Sequence, residues 1–123
     1  MLLRRAAPQC QNEKVLIPHI LDHAKFRPEK MGKADLAAGT MLSAGLNCFE
    51  PGQEHAPHTH EGQDKLYYVL EGHGILTIAD QDQPFTAGDL AIAPSGVLHA
   101  LRNPGPDPLV VLVVFAPPPA KSA

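Results

Sequence analysis

Three histidines have a spacing that could place their side chains around one metal ion. His58 and His60 are separated by a single residue, and His99 follows much later, after a second stretch punctuated by glycine and proline. Because side chains alternate along a β-strand, residues 58 and 60 of a strand would point to the same face of a sheet. A third imidazole from another strand would complete one face of a divalent transition-metal site. Iron, zinc, nickel, manganese and copper all suit such a site, and its remaining positions would be open to water or substrate.

The composition indicates which elements carry these histidines. The chain has 123 residues, enough for one domain that buries roughly two thirds of its unfolded surface. Its 10 glycines and 13 prolines would interrupt long helices too often, so we expect short strands joined by turns.

Apolar segments separated by turn residues predict the strands. They are Leu36–Ala38, Met41–Phe49, Leu66–Leu70, Ile75–Ala79, the short pair Phe85-Thr86, Leu90–Ala93, Val97–Arg102 and Leu109–Phe115. Gly39-Thr40 is predicted to be a turn, and the polar residues Asp80–Gln83 the tip of a hairpin. The last strand is rich in β-branched residues, which predicts a central strand buried on both faces. Many short strands at this spacing predict a sandwich or a barrel.

Two stretches of the chain match the paired motifs of a known family. The first contains, at the spacing of its motif, Gly52, His58-Thr59-His60, Lys65 and Gly72. The second matches its motif at every position, with Gly88, Pro94-Ser95-Gly96, His99 and Asn103. The chain therefore resembles the cupin superfamily. The resemblance implies an all-β double-stranded β-helix, a jelly-roll barrel whose mouth holds a metal bound by three histidines and a carboxylate.

Lys65 occupies the position at which the family motif has a glutamate. A protonated lysine is a poor metal ligand and is repelled by a divalent cation. Asp64 could supply the missing carboxylate if a bulge shifted the local register, and Glu61 and Gln63 are further oxygen donors nearby. If none of them reaches the ion, water completes its shell, and the uncompensated charge favours an anionic ligand or hydroxide.

Two orientations of Lys65 have different consequences. A solvent-facing lysine would pair with Glu71 or Asp64 at the surface. A lysine that points into the barrel would have its pKa lowered by the metal and by burial, and could act as a base, a carbonyl-binding amine or an anion anchor. Because of strand alternation, Tyr67 would face the same way as Lys65, either as an ordinary core tyrosine or with its hydroxyl toward bound water or ligand.

His55 lies three residues before His58, on the far side of Pro57. It is either a solvent-exposed loop residue or an acid/base group at the barrel mouth. Isolated histidines are more often surface or hydrogen-bonded residues than metal ligands. We therefore do not expect three other histidines to bind the metal: His19, His23 and His73.

The chain divides into three parts at the level of sequence. Residues 1–30 contain several prolines and are expected to form an arm, with one short strand around Val15–Ile17. Residues 31–116 are expected to form the barrel, and residues 117–123, which begin with three prolines, a flexible tail. The resemblance to cupins implies a homodimer, since related small barrels usually pair through their sheets. The N-terminal arm could then cross to the partner subunit.

Charge and cysteine content exclude several classes of function. The net charge is -3 and the pI is about 6.1, with no long basic or acidic run, so we expect neither nucleic acid nor an anionic membrane as partner. Two cysteines, of which Cys48 is expected to be a small buried residue, do not form the disulfide framework of a secreted domain. The chain has no signal-like or membrane-spanning stretch, and a soluble cytoplasmic protein is predicted.

Two hypotheses of function follow for a small-molecule ligand. The first is a metal-dependent enzyme acting on a small organic acid, sugar or aromatic compound, with His55, Lys65 or Tyr67 assisting proton transfer. A three-histidine face resembles that of some cupin dioxygenases. The second is a noncatalytic barrel that binds a metabolite or metal for sensing, storage or delivery. The sequence does not decide between them, because one fold serves unrelated chemistries.

Overall fold

A computed structural model describes residues 15–119, and within this range the chain is built almost wholly from β-strands. The nine strands are β1 Gly32–Ala38, β2 Ser43–Phe49, β3 Glu54–His58, β4 Asp64–Glu71, β5 His73–Ile78, β6 Gln81–Thr86, β7 Leu90–Ala93, β8 His99–Arg102 and β9 Leu109–Ala116. Between residue 15 and the first strand lies one 3₁₀ turn, Ile20–His23. The all-β prediction is confirmed. Over the described range, no helix is long and apolar enough to cross a bilayer.

The strands form two antiparallel sheets. One sheet has the order β1-β2-β9-β4-β7 and the other the order β3-β8-β5-β6. Strand β9 lies between β2 and β4, as its β-branched composition predicts for a central strand, and all of its residues except the last are buried or partly buried. The predicted turn at Gly39-Thr40 joins the antiparallel pair β1 and β2, and β7 has the predicted bounds.

Alternation along the strands sorts side chains into an inner and an outer layer. The inner core is a cluster of buried residues: Met31, Phe49, Tyr67, Val69, Leu76, Phe85, Ala93, Leu101, Leu109, Val111 and Val113. A smaller cluster, Ala34, Leu46, Cys48 and Val110, lies on the outer face of the five-stranded sheet, with Ala24 packed against it. Cys48 is buried there, as predicted, and the segment before β1 covers part of this face.

Two strand predictions differ from the structure. Strand β3 was not among the predicted strands, because Glu54–His58 is polar and contains a proline. It is an edge strand, where a missing N–H is tolerated, and it owes its pairing to β8. The predicted hairpin tip, Asp80–Gln83, is largely part of β6, because Ala79 adopts a positive φ of 57° and turns the chain earlier.

The N-terminal expectation is corrected in one respect. Residues 15–17 form no strand, since no neighbouring strand pairs with them and both Val15 and Leu16 are exposed. Residues 1–14 of the predicted arm and 120–123 of the predicted tail lie outside the described part of the chain. The three-part division at residues 30 and 116 stays a prediction.

Asn103, the residue after β8, joins two backbone segments through its side-chain amide. Its buried Nδ2 donates to the carbonyl oxygens of Phe49 at 3.0 Å and Asp107 at 2.8 Å. Its Oδ1 accepts a hydrogen bond from the Gly105 amide at 2.8 Å. The amide therefore caps the turn after β8 and joins the end of β2 to the loop before β9.

Replacing this amide by its isosteric acid tests how much the fold depends on it. In Asn103→Asp, an acceptor replaces the NH₂ donor and faces two carbonyl oxygens in a buried position. We expect the free energy of unfolding to fall by about 2–4 kcal/mol, because two donors are lost and a buried charge is left unpaired. Urea unfolding followed by circular dichroism measures the change. A variant as stable as the wild type would contradict this role.

Candidate metal centre and adjoining cavity

Two paired strands bring two of the three histidines together. His58, at the end of β3, lies directly across from His99, at the start of β8, and their ring centroids are 4.1 Å apart. His60 follows just beyond the end of β3, with its ring 4.9 Å from that of His58 and 5.4 Å from that of His99. The structure thus assembles these residues from positions far apart in sequence.

Hydrogen bonds to the backbone fix the protonation of two of these rings. Nδ1 of His58 donates to the carbonyl oxygen of Ala56 at 2.7 Å, and Nδ1 of His99 to that of Val97 at 3.0 Å. A carbonyl oxygen can only accept, so the proton of each neutral ring is on Nδ1 and the lone pair on Nε2. Both Nε2 atoms are buried and have no hydrogen-bond partner among the described residues.

This arrangement fits a divalent transition metal. One ligand nitrogen from each of His58, His60 and His99 lies within 4.8 Å of the others. Metal-bound histidines typically donate their second N–H to a carbonyl or carboxylate, which is what the two backbone contacts provide. Buried Nε2 lone pairs without a partner are costly unless a ligand satisfies them. The donor set, three neutral nitrogens, suits zinc, iron, nickel, copper and manganese.

Burial keeps the three rings neutral. Burial, together with the neighbouring His58, lowers the pKa of His99 to about 4. Burial also lowers the pKa of His58 and, together with the His58 ring, that of His60. Only a neutral imidazole can donate its lone pair to a metal, so these shifts favour coordination.

A bulge in β3 turns His55 to the same side as His58. His55 pairs with Leu101 and His58 with His99, so three residues of β3 span two of β8. The ring of His55 lies 4.2 Å from that of His58, and its Nδ1 is buried without a described partner. Burial, together with the Lys65 ammonium, lowers its pKa to about 3. His55 therefore lies at the barrel mouth and not in a solvent-exposed loop.

Lys65 points into the barrel, with 1% of its surface exposed. Its ammonium lies 4.7 Å from the ring centroid of Tyr67 and 5.0 Å from that of Phe115, within the range of cation–π attraction. Nζ has no hydrogen-bond partner in the described part of the chain. Burial, with the nearby Lys33 ammonium, lowers the pKa of Lys65 to about 8. The solvent-facing alternative is wrong for this side chain.

Tyr67 faces inward with Lys65, as strand alternation requires. It is fully buried, and its hydroxyl has no partner among residues 15–119. Its ring packs edge-on near Phe85 and His99, with centroid separations of 6.3 and 6.1 Å. Burial raises its pKa, so the phenol stays protonated and can donate a hydrogen bond.

The structure does not bring the candidate oxygen ligands to the histidines. Asp64 is exposed on the opposite face of β4 from Lys65, and its Oδ1 accepts a hydrogen bond from the Ser95 amide at 2.9 Å. The Gln63 side chain donates to the carbonyl oxygen of Pro117, and Glu61 is exposed. No bulge shifts β4 at this point, since Asp64 and Lys65 keep successive partners on β9. The expected carboxylate from Asp64 is therefore not part of this group.

A cavity of about 400 Å³ adjoins the centre. Its polar and aromatic lining includes Lys33, Asp35, Asn47, His55, Lys65 and Phe115. Phe115 connects the two regions, because its ring also packs edge-on against His60 at 5.6 Å. Sequence reasoning missed the contributions of Lys33, Asp35 and Asn47, since no motif marks them. Only the pairing of β1 with β2 places them on the inner side of the sheet.

Comparison with known proteins agrees with this architecture. The oxalate-binding protein of Thermotoga maritima is 38% identical over 65 residues, a match that covers 53% of this chain. The match covers 54% of that protein, so the chain spans about half the length of this relative. The crystal structure of TT1209 from Thermus thermophilus has a TM-score of 0.80 at 36% identity, covering 84% of this chain and 98% of that one.

The fold is also that of a Klebsiella pneumoniae protein described as having a double-stranded beta-helix domain. Its TM-score is 0.78 at 24% identity, with 85% of this chain and 91% of that one covered. The predicted double-stranded β-helix is thereby confirmed. A family model described as the cupin domain matches residues 45–115, more than half of the sequence and both histidine motifs. The chain therefore belongs to the cupin family.

Proposed function

We propose that this cupin binds a divalent transition metal through His58, His60 and His99 and binds a small organic molecule in the adjoining cavity. The observation that carries the proposal is the pair of buried Nε2 atoms of His58 and His99. Each lies on a ring whose other nitrogen is already tied to a backbone carbonyl. When bound, such an ion would supply Lewis acidity or redox chemistry at positions that the protein does not fill.

Three further side chains are proposed to act on the bound molecule. His55 is neutral, its ring lies 4.2 Å from that of His58, and its Nδ1 has no partner among the described residues, so it can exchange a proton with a ligand. The Tyr67 hydroxyl is a protonated donor close to His99. Lys65 presents an amine to the cavity from its inner wall. We assign no metal-ligand role to Asp64, because its carboxylate is engaged at the surface.

Turnover and binding alone are two forms of this function. The unpartnered His55 and Tyr67 favour a metal-dependent enzyme, including one that consumes oxygen. The match to a protein named for binding oxalate favours a noncatalytic binder of small molecules. Oxygen uptake and product formation, measured with metal-loaded protein and a panel of small acids, sugars and catechols, separate the two. A cytoplasmic location and the lack of nucleic-acid or membrane partners stay predictions from the sequence.

We also propose that two copies pair through the outer face of the five-stranded sheet. Alternation places Tyr68 and Leu112 on this face, with Leu90 and Ile92 at its β7 edge. Leu90 is 61% and Ile92 48% exposed, and exposed apolar patches of this kind mark protein interfaces.

The metal proposal predicts a loss of binding in single-ligand variants. In His58→Ala or His99→Ala, we expect affinity for Zn²⁺ to fall by at least about a hundredfold. Removing a residue that only orients a metal ligand already lowers metal affinity by up to about a hundredfold, and removing the ligand itself should lower it at least as much. Competition with a chromophoric chelator gives the affinity, and elemental analysis gives the metal content. The control is His23→Ala, an exposed histidine outside the group. Equal zinc affinity in all of these proteins would refute the site.

The buried amine predicts a specific dependence of stability on pH. The pKa of Lys65 is about 8 in the folded state against an ordinary value of 10.5, so the unfolded chain binds more protons between these values. Stability of the metal-free wild type should therefore rise with pH across this window, by up to about 3 kcal/mol.

The matched variant is Lys65→Met, which keeps the length of the side chain but cannot ionise. Below pH 8 we expect it to be more stable than the wild type by up to about 3 kcal/mol, and the two should converge near pH 10.5. Urea unfolding at each pH measures the difference. A difference that does not change with pH would show that the amine is not buried as a cation.

The proposed pairing predicts a change of mass in solution. Wild-type protein should have the mass of a dimer by light scattering after size exclusion, and Ile92→Lys should shift it to a monomer, since a charge would be buried at the interface. Leu98→Lys, at an exposed leucine before β8, is the control. A monomeric wild type would overturn the pairing.

A further inference from the structure

The most unusual group of the barrel is a buried cation that forms no ion pair with the described residues. The Lys65 ammonium lies over the faces of the Tyr67 and Phe115 rings, and no carboxylate of residues 15–119 lies within ion-pair distance. Burying a charge without a partner is unfavourable, and attraction to the aromatic faces offsets only part of that cost. The fold itself thus leaves this cation uncompensated.

The charged side chains around the cavity sum to a net positive charge. Three of its lining side chains carry a charge at pH 7: Lys33, Asp35 and Lys65. Two of them are cations and one is an anion, so their sum is one positive charge. Lys33 and Asp35 are exposed at the rim, whereas Lys65 is enclosed. The inner end of the cavity is therefore positive before any metal is counted, and a divalent ion at the histidines would add to it.

The walls of the cavity limit what kind of anion fits. Besides the polar groups, the lining consists of apolar side chains that include Val113, Phe115 and Pro118. A single ammonium neutralises one negative charge. None of the cavity-lining residues is an arginine, the side chain that binds a phosphate bidentately, so the lining favours a singly charged anion over a phosphate. The volume of about 400 Å³ suits a molecule of roughly metabolite size.

We infer that the ligand of this cavity is a small organic carboxylate whose anionic group binds Lys65 Nζ, with its apolar part against Phe115 and Val113. The inference rests on the proposed function for the cavity, and it names the chemical class of the ligand. It also gives a reason for a lysine at the position where the motif has a glutamate: the side chain recognises the ligand instead of the metal. At pH 7 the amine is mostly protonated, which suits this role.

Benzoate and its neutral isostere benzamide test the inference, because they differ in charge but not in shape. Calorimetric titrations at pH 7 use the full chain, first metal-free and then zinc-loaded, with oxalate and inorganic phosphate as further probes. We expect the metal-free wild type to bind benzoate at least tenfold more tightly than benzamide. In Lys65→Met this preference should fall to twofold or less, whereas Lys33→Met, at the exposed rim, should retain most of it.

Lys65→Gln is a second variant, which keeps a polar side chain of similar length, and thermal unfolding verifies that each variant is folded. A wild type without preference for benzoate, or a preference that survives in both Lys65 variants, would overturn the inference. Tighter binding of phosphate than of benzoate would overturn the assignment to a carboxylate. Zinc affinity is measured on the same samples. Loss of zinc binding with an intact Lys65-dependent preference would refute the metal proposal alone, and the reverse result would refute this inference alone.

Discussion

The register of β3 against β8 is the constraint on which the site depends. It places His58 across from His99, and the bulge at residues 56 and 57 turns His55 to the same side. A shift by one residue would send His58 to solvent, since side chains alternate with period two. The backbone carbonyls of Ala56 and Val97, which orient the two rings, belong to the same strand segments. Pairing and ring orientation are therefore a single structural feature.

The interior combines an apolar core with polar atoms that the described chain leaves unsatisfied. The buried atoms without a partner are His55 Nδ1, His58 Nε2, Lys65 Nζ, Tyr67 OH and His99 Nε2. Folded proteins satisfy nearly all their buried polar groups, so five such atoms in one region point to a ligand rather than to a defect. Leaving these atoms without hydrogen bonds destabilises the fold. The inner core and the hydrogen bonds of Asn103 offset this loss of stability.

Much of the fold was predictable because it follows from local properties. The β-branched residues of β9 and the glycine and proline turns predicted a barrel of short strands, and the two motifs predicted its type. Strand β3 was not predicted, because a polar segment with a proline has no strand signal of its own. The bounds of β6 were also misplaced, since a positive φ at Ala79 moved the turn.

The sequence by itself determined the fold class and which three histidines come together, since both follow from residue type and spacing. Only the tertiary structure decided the orientation of Lys65 and the exclusion of Asp64. Neighbouring residues of β4 must point to opposite faces, and the pairing with β7 and β9 selects which of them faces inward. The cavity likewise exists only once β1 and β3 enclose it, because its lining comes from segments with no local signal in common.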